Sequence, residues 1–96
     1  MLKNELRDLS LFIQTTIKLP DGLLFNINGD GTILFQDNEG DDTEYYIYIV
    51  KFPGHDYEHL PIYQGIRITK YQTFKQIAKN VQEEVENFVR QLNGMA

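Results

Sequence analysis

Three stretches of the chain hold residue types whose spacing could do chemistry. Asn26, Asn28, Asp30 and Asp37 place side-chain oxygens at the first, third, fifth and twelfth positions of one window, with Gly31 at the sixth and Ile33 at the eighth. Oxygens so spaced can ring a calcium ion, and glycine permits the sharp bend this needs. His55, Glu58 and His59 form a second set. On a helix, the two histidines would stand one turn apart and hold zinc while the glutamate served as general base. The third set is acidic: Asp37, Glu39, Asp41, Asp42 and Glu44 crowd into residues 37–44. Such a cluster can attract cations or imitate phosphates before a nucleic-acid-binding protein. Its plainest use is to keep a sheet edge soluble.

The elements that would position these residues decide between the readings. The window 26–37 resembles an EF-hand calcium loop, but Asn26 stands where that loop has aspartate and Asp37 where it has a bidentate glutamate. The loop also needs a helix on each side, whereas Pro20 and Gly22 precede the window and Gly40 follows it. A β-hairpin built on Asn28-Gly29-Asp30-Gly31 explains the same residues. His55-Asp56-Tyr57-Glu58-His59 resembles the H-x-x-E-H string of inverted zinc peptidases, but Pro53-Gly54 and Leu60-Pro61 enclose it and leave no room for a helix. It reads as a polar loop whose two histidines happen to be neighbours. Ser10 is the only serine, there is no cysteine, and no glycine-rich phosphate loop is present. No nucleophile–base pair can be assembled, so neither an enzyme nor a cofactor is expected.

Composition narrows the class further. The 96 residues suit one domain, residues 1–96, with a single core. A net charge of −5 argues against direct nucleic-acid binding, which depends on clustered Lys and Arg. No apolar run is long enough to span a membrane and no signal peptide is visible, so the expected location is cytoplasmic.

Periodicity predicts an α+β fold in the order α-β-β-β-β-α. A first helix covers residues 2–16, with Leu2, Leu6, Leu9 and Ile13 on one side. Pro20 and Gly22 mark a turn. Residues 23–27 and 32–36 form a hairpin, and residues 37–43 make an acidic connection. Strands follow at 44–52 and 62–71, separated by a loop at 53–61. In the last helix Phe74, Ile77, Ala78, Val81, Val85, Phe88, Val89 and Leu92 make one stripe, and Thr73 with Gln76 fits a capping box. Short connections predict a four-stranded antiparallel meander with both helices on one face. Leu23, Phe25, Ile27, Ile33, Phe35, Ile47, Ile49, Ile66 and Ile68 should lie beneath the helices. The element order resembles the frataxin architecture, although the chain has no tryptophan and its first helix carries no acidic ridge.

The strand at 44–52 is apolar on both sides. Tyr45, Ile47 and Ile49 alternate with Tyr46, Tyr48, Val50 and Phe52. Two helices on one face would leave the second side to another molecule. The expected contact surface is therefore Tyr46, Tyr48, Val50, Phe52, Leu24, Leu34 and Arg67, and the expected function is protein binding, to a partner or as a homodimer. Small accessory or inhibitor proteins of phages and mobile elements have this general character. The alternative is a divalent-metal-binding protein using residues 26–37, 37–44 or 55–59.

Overall fold

A computed structural model describes residues 2–51 and 62–94. Its elements are α1 (Lys3–Thr16), β1 (Leu23–Phe25), β2 (Gln36–Asn38), β3 (Asp41–Lys51), β4 (Ile62–Thr69) and α2 (Phe74–Gly94). The expected α+β class is found: a helix at either end of a four-stranded antiparallel sheet. The 53–61 loop, with His55, Glu58 and His59, lies outside the described residues, as does Phe52.

The strand order departs from a simple meander. β3 is the centre: β4 pairs along one side of it, and β1 and β2 both pair along the other. Phe25 lies opposite Ile49, and the Asn26 N–H donates to the Tyr48 carbonyl at 3.0 Å. Pairing resumes with Gln36 opposite Tyr46. Residues 27–35 therefore leave the sheet, over the space of one β3 residue, as a small ribbon. It is held by an Ile27–Ile33 bridge and closed by hydrogen bonds from Asn28 N–H to the Thr32 carbonyl and from Gly31 N–H to the Asn28 carbonyl. Gly31, at φ +87°, supplies the left-handed residue this type of hairpin turn requires. The excursion is tolerated because Ile47, the residue it passes, directs its own N–H and C=O toward β4.

The acidic stretch is also not a loop. Asn38 pairs with Asp41 across Glu39 and Gly40, which hold φ of 54° and 86°. Two consecutive positive values define a type I′ turn, whose twist matches that of the flanking strands. The register slips between Asp37 and Asn38, so residues 42–44 of β3 stand as a bulge between the β3 partners of those two residues.

One core joins both helices to one face of the sheet. Leu9 and Ile13 of α1 meet Ile77, Val81, Val85 and Phe88 of α2 over Leu23, Phe25, Ile33, Ile47, Ile49, Ile66 and Ile68. Two expected core residues differ. Phe35 is half-buried, and Ile27 is 44% exposed although Ile33, its bridge partner in the ribbon, is buried. Leu2 is also exposed, and the third buried position of α1, beside Leu9 and Ile13, falls to Ser10. The capping box forms as expected: Thr73 Oγ1 accepts the Gln76 N–H at 3.1 Å, and Gln76 Oε1 accepts the Thr73 N–H at 2.8 Å.

Candidate interaction surface

The outer face of the sheet is built by alternation. Residues of β3 that point away from the helices are Glu44, Tyr46, Tyr48 and Val50. Cross-strand register sets Arg67 beside Tyr46, Gly65 beside Tyr48 and Tyr63 beside Val50 on the β4 side. On the other side Gln36 faces Tyr46 and Leu24 faces Val50. The structure thus groups Leu24, Tyr46, Tyr48, Val50 and Arg67 on one surface. Leu34 belongs to the return arm of the ribbon, outside the four strands, with its N–H on the Asn26 carbonyl at 2.7 Å.

Exposure across this surface is uneven. Leu24 is 53% and Tyr63 59% exposed, Tyr46 and Tyr48 are half-buried, and Val50 is buried. Tyr48 makes an edge-to-face contact with Tyr63, the ring centroids 6.2 Å apart. Its ring also lies over Gly65, where a Cβ would come within 3.1 Å of Tyr48 Cε1. An Arg67–Glu44 ion pair crosses the strands diagonally past Tyr46, and Asn38 Nδ2 donates to the same Glu44 carboxylate at 2.8 Å. Glu44 is thereby used to hold the bulge and the face together. Tyr63 and Gly65 were not among the residues anticipated from sequence. The signal was present, since alternation puts 63, 65 and 67 on one side of a strand. Tyr71, by contrast, lies past the end of β4 in a turn and is exposed.

Two of the carboxylates that suggested metal chemistry, Asp30 and Asp41, are engaged in turns. Asp30 Oδ1 accepts the Thr32 hydroxyl at 2.6 Å and its N–H at 3.0 Å, and Asp41 treats Thr43 the same way at 2.6 and 2.9 Å. These bonds, the hydroxyl's first, hold both carboxyls below the ordinary aspartate range. Asn28 Nδ2 donates to Thr32 Oγ1 across the ribbon. Among the described residues, no three carboxylate or histidine groups converge to hold a metal ion. Ser10 Oγ is likewise structural: it accepts the Ile33 N–H at 2.7 Å and a Gln14 amide proton at 2.9 Å. The concavity of about 610 Å³ at the end of α1 is lined by residues 14–25 and Ile27, with Lys18 and Asp21 as its ionisable groups.

No helix among the described residues is long and apolar enough to cross a membrane. Comparison of the chain with protein-family models, with curated proteins and with solved structures gives no match.

Proposed function

We propose that this chain is a non-enzymatic protein-interaction domain that docks a protein partner on its outer sheet face. The observation that carries the reading is the one-sided cover among the described residues: both helices share one core on one face. The opposite face keeps Leu24, Tyr46, Tyr48, Tyr63 and Arg67 at its surface, in the mixture of aromatic, aliphatic and arginine residues that suits a contact patch. A cytoplasmic setting, without direct contact to nucleic acid or membrane, is part of the proposal. The absence of cysteine and the net charge of −5 support it.

The test compares the chain with its Leu24→Glu and Tyr46→Glu variants by affinity capture and by sedimentation. Both substitutions fall at surface positions, and melting temperatures check that the fold persists. A partner, or a second copy, seated on this face is lost from both variants. Retention at full strength by both refutes the reading.

A further inference from the structure

Among the described residues, β4 pairs with β3 and with no other strand. The register shows which of its backbone groups are already used. The Lys70 N–H donates to the Thr43 carbonyl. The pairs in phase with that bond, Tyr45 with Ile68, Ile47 with Ile66 and Ile49 with Gln64, are therefore the ones that exchange hydrogen bonds. The alternate residues Tyr63, Gly65 and Arg67 turn their N–H and C=O groups away from β3. Thr69, next in that series, finds a local partner in Gln72: its N–H donates to Gln72 Oε1 at 2.9 Å, and its carbonyl accepts the Gln72 N–H at 3.3 Å. A row of outward edge groups is a template for another strand.

A groove of about 350 Å³ runs along this edge, lined by Gly65, Ile66 and Arg67 of β4 and by Asn80, Glu83 and Glu84 of α2. Three consecutive strand residues can line one groove only where it follows the strand's edge, because neighbouring side chains point to opposite faces. The helical wall is acidic. Glu83 is exposed, and Glu84 is half-buried and accepts a Gln64 amide proton at 2.6 Å.

Charge decides between occupants. A second copy could match the backbone, with a two-fold axis through Gly65 setting Tyr63 of one chain against Arg67 of the other. It would also bring both acidic helix walls together across the axis, and like charges so placed repel. A cationic strand meets attraction instead. We propose that the β4 edge and the Glu83–Glu84 wall of α2 form a docking site for an extended basic segment of a partner protein, added to the sheet as a further strand with Lys or Arg at alternate positions on the helix side. The proposal rests on the interaction-domain reading and adds a contact at the sheet's border to the one on its face.

The probe is a synthetic peptide about ten residues long alternating lysine and threonine, with a glutamate–threonine peptide as control, titrated into the isotopically labelled full chain. The lysine peptide shifts the amide resonances of Tyr63, Gly65 and Arg67 saturably and slows their hydrogen exchange. Its affinity falls at least about tenfold in a Glu83→Lys/Glu84→Lys double variant, and falls as salt rises. Gly65→Pro removes one outward N–H and none of the β3 ladder, and it weakens binding similarly. If that variant does not fold, the double variant carries the test alone. Unmoved β4 amides, equal binding of the glutamate peptide, or an unchanged affinity in the double variant overturns the proposal. So does a dimer that Gly65→Pro abolishes, since the edge is then occupied by a second copy. Shifts confined to Tyr46 and Tyr48 overturn the edge site and leave the outer-face reading standing. β4 shifts that persist in Leu24→Glu and Tyr46→Glu uphold the edge as a site of its own.

Discussion

At the scale of single residues, Ser10 shows how a side chain can suggest catalysis and serve architecture. It is fully buried, and its hydroxyl accepts the N–H of Ile33, which faces away from the ribbon's own hydrogen bonds. Gln14, one turn later, donates to the Gly31 carbonyl at 3.1 Å. Together they moor the ribbon to α1. Replacing Ser10 with alanine leaves the Ile33 N–H buried and unpaired, so Ser10→Ala lowers stability by about 1–3 kcal/mol. Urea unfolding measures this, and amide exchange should quicken first in residues 27–35. The pairs Asp30–Thr32 and Asp41–Thr43 make the same point for carboxylates. Each aspartate lies two residues before a threonine that donates twice to it, an arrangement that stabilises a turn and gathers no further ligands.

At the scale of elements, the β2–β3 hairpin carries a visible conflict between sequence and geometry. The type I′ turn wants asparagine or glycine at its first central position, and this chain has Glu39 there at φ 54°. A glutamate pays a steric penalty in the left-handed region that asparagine largely avoids. Glu39→Asn therefore stabilises the protein by up to about 1 kcal/mol, read as a higher urea midpoint with an unchanged slope. That substitution also removes a charge from an acidic hairpin, so the measurement is repeated at high salt, where the charge contribution fades and the backbone contribution remains. The conflict explains why the turn was hard to see. Glu-Gly is a weaker hairpin signal than Asn-Gly, and the stronger signal at Asn28-Gly29 points to a hairpin at residues 28–31. Both turns exist. The earlier one closes a ribbon outside the sheet, and the later one joins two of its strands.

At the scale of the whole molecule, the two sheet faces differ in energetic role. Phe88 is buried among α1, α2 and the inner face, whereas Leu24 stands half in solvent on the outer face. Phe88→Ala should cost about 3–5 kcal/mol, a large share of the stability of a domain this size. Leu24→Ala should change stability by less than about 0.5 kcal/mol. Denaturant titration of the two variants measures the asymmetry directly. An equal cost at both positions would mean that the outer face is as much a core as the inner one, leaving little surface for a partner.

Much of this was legible in the residues themselves. Helical spacing marked α1 and α2, the Thr73–Gln76 pair marked the start of α2, and alternation assigned Tyr45, Ile47 and Ile49 to one face and Tyr46 and Tyr48 to the other. These properties depend on neighbours within a few positions, so the chain alone carries them. Strand partnership does not work that way. That β3 would be central, that the chain would leave the sheet after Asn26 and return at Gln36, and that residues 42–44 would bulge all depend on hydrogen bonds between segments distant along the chain. Several pairings satisfy the same alternation, and only packing against the helices selects among them. The β4 edge, unpaired among the described residues, and its acidic wall come from that selection, because a strand's outward groups become a site only once its neighbours are settled.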